Sequence, residues 1–167
     1  MNPKVAFATS QGNFTVELFS KEAPVSVENF LRYVDDQFFD GTIFHRIVPG
    51  FVIQGGGLDA GFERRETRAP IRNEARNGLR NKRGTLSMAR TNEVDSATSQ
   101  FFVNLKDNAF LDHSPGNFGY AVFGQVTDGL DVVDRIAKVK TGRRKGYDDA
   151  PLEAVTIDSV RRLDSAA

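Results

Sequence analysis

The feature of this sequence that most restricts its fold is the shortage of helical patterning beside many short strand patterns. Apolar residues recur at helical spacing in two segments only: Val27, Phe30, Leu31 and Val34 form one stripe, and residues 130–139 contain the other. A parallel sheet needs a crossover helix for almost every strand, and two helices cannot supply them. We therefore expect a mainly β protein, a closed eight-stranded antiparallel barrel capped by two α-helices.

The strand patterns are short and are separated by turn residues. Phe14, Val16 and Leu18 alternate with polar residues, which predicts a strand with one buried face. Residues 10–13, Ser-Gln-Gly-Asn, precede this strand and predict a hairpin with the first strand. The predicted strands cover residues 5–9, 14–19, 42–48, 51–54, 85–89, 101–105, 120–126 and 155–163.

Composition excludes several classes of site. The chain has 167 residues and no Cys, so disulfides, thiol nucleophiles and Cys-based zinc sites are impossible. Its only histidines are His45 and His113, too few for a His-rich metal site. No apolar run approaches the ~18 residues that span a bilayer. We expect a single domain over residues 1–167 that needs no metal or other cofactor and does not bind a membrane.

Charge is balanced over the whole chain but not along it. Lys and Arg number 22, as do Asp and Glu, which argues against a nucleic-acid-binding protein. Residues 61–84 carry eight basic and three acidic residues and predict a solvated surface excursion. A basic face for acidic protein segments or nucleic acid is the alternative, although the interleaved aromatic residues of a base-stacking platform are missing.

The segment with the strongest functional pattern is FHRIVPGFVIQGGG, residues 44–57. Residues two apart on a strand share a face, and a turn at Pro49-Gly50 folds one strand onto the next. Arg46 and Gln54 can then approach each other beside a Phe ring. A polar anchor beside an apolar pocket is typical of a ligand site. From the pattern alone, an ordinary hairpin with a surface arginine is an equal alternative.

Three blocks of sequence resemble those of the cyclophilin-type peptidyl-prolyl cis/trans isomerases. Besides residues 44–57, they are GTLSMAR through SQFFVN in residues 84–104, and FLD with YAVFG in residues 110–124. The order and rough spacing of the blocks match, and the resemblance covers nearly the whole chain. It implies an enzyme that accelerates rotation about X-Pro bonds in unfolded or folding polypeptides. A non-catalytic proline-peptide binding module or holdase is the alternative, and the presence of Arg46 favours the enzyme.

The resemblance also implies which residues form the site. Arg46 resembles the family's catalytic arginine, Gln54 the glutamine that orients it, and Phe51 a wall of the proline pocket. The residues that we expect to contact substrate are His45, Val52, Met88, Ala89, Arg90, Thr91, Gln100, Phe102, Phe110, Leu111 and Tyr120.

Val52 stands where many family members have Met, and three further residues also differ from the family pattern. Arg90 occupies a position that is often Asn, Phe110 one that is Trp in many eukaryotic members, and Tyr120 one that is often His. This combination resembles the bacterial members. Because Phe lacks the indole N–H donor, we expect only weak binding of cyclosporin.

Residues 23–30 and 107–113 look closer to the periplasmic bacterial cyclophilins than to the cytoplasmic ones. No signal peptide is visible before the first strand pattern. We therefore expect a mature periplasmic chain, with the cytoplasm as the alternative location, and we expect a monomer.

Overall fold

The computed structural model describes residues 2–163, which form a curled antiparallel sheet, two α-helices and a separate hairpin. The helices are α1, Pro24–Asp35, and α2, Leu130–Ile136, the second of which ends earlier than predicted. The strands are β1 Lys4–Thr9, β2 Gly12–Leu18, β3 Thr42–Ile43, β4 Arg46–Val48, β5 Val52–Gly55, β6 Thr85–Met88, β7 Phe101–Asn104, β8 Val122–Asp128, β9 Thr141–Arg144, β10 Tyr147–Pro151 and β11 Thr156–Leu163. Short 3-10 helices cover Ala75–Asn77 and Ala109–Leu111. No helix within the described residues is long and apolar enough to cross a membrane.

The main sheet contains nine strands in the order β3-β11-β1-β2-β8-β6-β7-β5-β4, and all neighbouring pairs are antiparallel. This confirms the mainly β, antiparallel prediction with two helices. The main sheet differs from the predicted closed eight-stranded barrel in two ways. It has nine strands, and within residues 2–163 no ladder joins β3 to β4, so the sheet is an open half-barrel. The predicted strand at residues 42–48 is divided because β3 pairs with β11 whereas β4 pairs with β5. Only Phe44 and His45 separate the two end strands of the sheet.

Phenylalanine rings fill the space between the sheet and α1. Phe30 of α1 packs edge-on against Phe101 of β7, with ring centroids 5.7 Å apart. Phe7 stacks on Phe14 across the β1–β2 hairpin, with centroids 4.6 Å apart. Burying such a ring stabilises the fold by about 1.5–3 kcal/mol relative to leaving it exposed. The predicted apolar stripe of α1 is confirmed, since all of its residues are buried in this core.

Residues 61–84 run over the surface as predicted, but specific contacts fix them to the rest of the fold. The Glu74 carboxylate accepts hydrogen bonds from the backbone N–H groups of Val25 and Ser26, at 3.2 and 2.7 Å. These are orphan donors of the first turn of α1, where a negative charge is also favoured by the helix dipole. Arg83 forms a two-pronged ion pair with Asp134 of α2. The excursion therefore braces both helices.

The β9–β10 hairpin is an element that the sequence prediction missed. Its residues are mostly polar and show no apolar alternation. Tertiary contacts with Phe62, which is distant in sequence, hold the hairpin in place. The Tyr147 ring lies 5.8 Å from the Phe62 ring, and the Arg144 guanidinium lies 5.1 Å from the Phe62 ring. The Tyr147 ring also lies 5.8 Å from the ring of His45, so the hairpin packs behind the segment that leads into β4.

Candidate active site

Alternation along β4 and β5 separates the candidate site from the core. Ile47 and Ile53 point into the phenylalanine core and are fully buried. Their neighbours Arg46 and Gln54 lie on the opposite face, and the two residues are paired directly in the β4–β5 ladder. Gln54 is paired in turn with Phe102 of β7. Because paired residues share a face, Arg46, Gln54 and Phe102 form one row across the sheet.

A chain of hydrogen bonds links the guanidinium of Arg46 to Gln54 and Gln100. Nη1 of Arg46 donates to Oε1 of Gln54 at 3.4 Å, and Nε2 of Gln54 donates to Oε1 of Gln100 at 3.1 Å. The guanidinium carbon of Arg46 lies 5.8 Å from the Phe51 ring centroid, within cation–π range. The position of the Gln100 side chain requires glycine at residue 57, because a Cβ at Gly57 would lie 2.5 Å from Cγ of Gln100. The remaining N–H groups of Arg46 stay available to donate hydrogen bonds to a ligand in the space above Gln54 and Phe51.

An open groove of about 340 Å³ lies over this row of side chains. Its floor is a small apolar cluster from β5, β7 and the second 3-10 helix, and this cluster is separate from the main core. Its walls are aromatic: Phe51 stacks on Phe110 at 5.6 Å, and Phe102 meets Tyr120 edge-on at 5.7 Å. The residues that line the groove are Arg46, Phe51, Val52, Gln54, Ala89, Arg90, Phe102, Phe110, Leu111 and Tyr120.

Four residues expected to contact substrate do not line the groove. Met88 is 3% exposed and belongs to the main core. Gln100 lies behind Gln54 and acts on the groove through it. Thr91 follows Arg90 in the chain and is exposed, outside the lining of the groove. The fourth is His45, whose surroundings are different.

His45 lies on the face opposite to Arg46, because successive residues of an extended segment face opposite sides. It is 5% exposed, its ring meets Tyr147 edge-on, and its Nδ1 has no hydrogen-bond partner among residues 2–163. Burial, aided by the positive charges of Arg46 and Arg64, lowers the pKa of His45 from 6.5 to about 4. The ring is therefore neutral at pH 7. Its position indicates packing behind β4 rather than the substrate contact that the resemblance implied.

A buried network of asparagines beneath the groove was missed by the sequence analysis. Nδ2 of Asn108 donates to the backbone carbonyl of Phe51 at 3.0 Å and to Oδ1 of Asn104 at 2.9 Å. Nδ2 of Asn104 donates to Oδ1 of Asn81 at 3.1 Å, and Nδ2 of Asn81 donates to Oδ1 of Asp112 at 3.0 Å. The network joins one wall of the groove to Asp112, the residue that follows the second 3-10 helix. Asparagine is typical of turns, so only its recurrence next to strand ends offered a signal.

Comparison with known proteins agrees with this geometry. A profile of the family described as Cyclophilin type peptidyl-prolyl cis-trans isomerase/CLD matches residues 4–162. Peptidyl-prolyl cis-trans isomerase A of Dickeya dadantii is 52% identical over 157 residues, which cover 94% of this chain and 83% of that protein. Peptidyl-prolyl cis-trans isomerase B of Escherichia coli K12 is 50% identical over 159 residues, which cover 93% of this chain and 97% of that protein.

A solved structure has the same fold. It is a Cryptosporidium parvum cyclophilin-type peptidyl-prolyl cis-trans isomerase, crystallised in the presence of the dipeptide Ala-Pro. It superposes with a TM-score of 0.80 at 25% sequence identity, over 97% of this chain and 99% of that one. The chain described here therefore belongs to the cyclophilin-type peptidyl-prolyl cis-trans isomerases and, like its bacterial relatives, is an enzyme of proline isomerisation.

Proposed function

We propose that the groove holds the proline ring of an X-Pro segment on its apolar floor and that Arg46 is the catalytic residue. The floor and the aromatic walls offer an apolar surface against which a small ring can pack, in a groove that is open to solvent. Arg46 lies at the edge of this floor, half-buried and held by Gln54. A ring bound on the floor presents its nitrogen towards the guanidinium.

The chemistry needs no covalent step. Rotation about a peptide bond is resisted by amide resonance, with a barrier of about 18–20 kcal/mol. As the bond twists, the proline nitrogen loses its conjugation and gains a localised lone pair. A guanidinium N–H donated to that nitrogen stabilises the twisted state more than either planar state, which is differential binding of the transition state.

Arginine suits this role better than another donor would. Its charge is permanent and its N–H groups form a rigid planar fork. The apolar surroundings of the groove lower the local dielectric and so strengthen the hydrogen bond. Each ~1.4 kcal/mol of extra stabilisation in the twisted state raises the rate about tenfold.

The observation that carries the proposal is the position of Arg46 beside the apolar floor, where its Nη1 donates to Oε1 of Gln54 at 3.4 Å. The test is cis-to-trans conversion of a proline-containing tetrapeptide, followed in buffer containing EDTA and no nucleotide. The uncatalysed conversion takes tens to hundreds of seconds, and we expect clear acceleration with catalytic amounts of protein. A protein that binds the peptide but leaves the rate uncatalysed would be a holdase.

The substrates that we propose are unfolded or folding polypeptides with accessible X-Pro bonds. The openness of the groove to solvent supports this, because a chain can bind along it without being threaded through a closed channel. The Cryptosporidium relative crystallised in the presence of Ala-Pro belongs to the same fold and supports a proline-containing ligand here. Cyclosporin should bind weakly, since Phe110 offers the groove a ring without an N–H donor.

We also propose that the protein acts as a monomer in the periplasm. The support for the location is the similarity of residues 23–30 and 107–113 to periplasmic bacterial members. Fractionation of the source cells tests the location, with the cytoplasm as the opposing outcome. Sedimentation velocity tests the monomer.

A further inference from the structure

Arg90 is a second guanidinium in the groove, held in a fixed position on the side of Tyr120. Its Nε donates to the backbone carbonyl of Gly119 at 3.0 Å, and its Nη1 donates to the backbone carbonyl of Thr91 at 2.9 Å. Its guanidinium carbon lies 4.7 Å from the centroid of the Tyr120 ring, which is a close cation–π contact. The side chain is therefore ordered before any ligand binds, and little rotamer entropy remains to be lost.

The positive charge of Arg90 is not paired with any acidic side chain that the structure describes. Among residues 2–163, no ion pair includes Arg90. Within the described part of the chain, two of its five N–H donors bond to backbone carbonyls, and three remain for a ligand. Of the described residues that line the groove, Arg46 is the other charged one and the rest are uncharged. A concave, partly apolar surface with two like charges concentrates an attractive field for anions.

We propose that Arg90 makes the groove select X-Pro segments that carry an Asp or Glu side chain within a few residues of the proline. This inference rests on the proposed function of the same groove. A carboxylate matches the planar fork of a guanidinium, and a fixed fork loses little entropy on binding it. An extended substrate advances about 3.3 Å per residue, so a side chain one to three residues from the bound proline can reach Arg90. Lysine at the same positions is disfavoured by both arginines.

The test compares matched peptides that differ only in charge. One series places Glu, Gln or Lys immediately before proline, and further series place them at each of the next positions on either side. Exchange NMR on the wild-type protein gives kcat/KM for each peptide at low salt. We expect one position at which Glu exceeds Gln by about two- to fivefold, the range of an exposed ion pair, and Lys falls below Gln. Raising the salt concentration should shrink the difference.

Variants identify the responsible residue. Arg90→Asn should bring the Glu-to-Gln ratio to one, and Arg90→Lys should retain part of it, because the charge remains and the fork is lost. Arg32→Asn removes an exposed arginine from α1 and serves as the charge-matched control, with the ratio unchanged. Equal turnover of Glu and Gln peptides by the wild-type protein, or a ratio that persists in Arg90→Asn, would overturn the inference while the proposed function stands. Failure to accelerate any of the peptides would instead remove the proposed function itself.

Discussion

Gln54 faces Arg46 directly across the β4–β5 ladder and accepts a hydrogen bond from its Nη1 at 3.4 Å. The same amide donates to Gln100 at 3.1 Å, so Gln54 cannot rotate without breaking a second bond. The guanidinium is thereby oriented by side chains from two neighbouring segments of the fold. This relationship gives the first two predictions, because it separates the residue that acts on the substrate from the residue that positions it.

Replacing Arg46 by Ala should lower kcat/KM for a proline peptide by one to three orders of magnitude, roughly 1.4–4 kcal/mol, and leave the fold intact. The side chain is half-buried at the groove and lies outside the phenylalanine core, so its loss affects the transition state more than stability. Arg46→Lys should recover only part of the activity, since an ammonium lacks the planar fork. Exchange NMR gives the rates and urea unfolding checks the fold. A folded Arg46→Ala protein with near-full activity would contradict the proposed mechanism.

Gln54→Leu should lower kcat by about two- to tenfold, the value of one hydrogen bond of about 0.5–1.5 kcal/mol, with a smaller change in KM. The reason is that Leu keeps the side-chain volume but leaves the guanidinium free to rotate. A double-mutant cycle separates positioning from direct action. If Gln54 acts through Arg46, the Leu substitution should have almost no effect on kcat in an Arg46→Ala background. Equal losses in the two backgrounds would mean that Gln54 contacts the substrate itself.

The row of Arg46 and Gln54 could be predicted from sequence because strand alternation and a Pro-Gly turn decide which residues face each other. The same rule also gives the position of His45: next to Arg46 in an extended segment, it must face the other way. His45 was expected to contact substrate because of the family resemblance, although strand alternation alone predicts that it faces away from Arg46. The β9–β10 hairpin could not be predicted, because its polar residues are ordered by Phe62, which lies far away in sequence.

The asparagine network was also beyond sequence patterns. Asn81, Asn104 and Asn108 are each buried, yet asparagine in a sequence indicates a turn or a solvated loop. Their burial is tolerated because the NH2 group of each amide donates to an acceptor on another residue. Most of these acceptors lie more than 20 residues away in sequence, and the bond from Asn108 to Asn104 is the exception. Such partners are known only when the fold is known.

Asn108→Ala should destabilise the protein by about 1–3 kcal/mol, because it leaves Oδ1 of Asn104 without its donor in a buried site. It should also raise KM for a proline peptide, since the Phe51 wall loses one of its supports. Urea unfolding and steady-state kinetics measure the two effects. Asn92→Ala is the matched control, because Asn92 is exposed and its side chain makes no hydrogen bond within the described residues. Similar stability in the two variants would show that the network contributes little.

Phe110→Trp should bind cyclosporin at least about tenfold tighter than the wild-type protein, with peptide turnover changed much less. Phe110 is 63% exposed at the rim and stacks on Phe51, so a larger ring can be accommodated towards solvent. The indole adds ring area and an N–H donor, and one hydrogen bond contributes about 0.5–1.5 kcal/mol. Calorimetric titration of both proteins gives the dissociation constants. Equal dissociation constants would mean that Phe110 does not limit cyclosporin binding and that Arg90 or Tyr120 is the residue to test next.

Acid should destabilise the wild-type protein through His45 more than it destabilises a His45→Phe variant. The pKa of His45 is lowered from 6.5 to about 4 by burial and by the charges of Arg46 and Arg64. Between these two values the unfolded chain binds a proton that the folded protein does not, so the free energy of unfolding falls as pH falls. The full contribution is present above about pH 6.5, and roughly 3 kcal/mol of it has been lost by pH 4.

Urea unfolding of both proteins at pH 7, 5.5 and 4 checks this expectation. The carboxyl groups of Asp35, Asp40 and Asp134, whose pKa values are lowered mainly by hydrogen bonds from arginines, also cost stability in acid. They are present in both proteins, so they cancel in the difference between the two unfolding free energies. That difference should change in favour of His45→Phe as the pH falls, since Phe keeps a ring against Tyr147 and cannot be protonated. A difference that is independent of pH would mean that His45 titrates alike in the folded and unfolded states, and that its burial behind β4 does not exclude the charged ring.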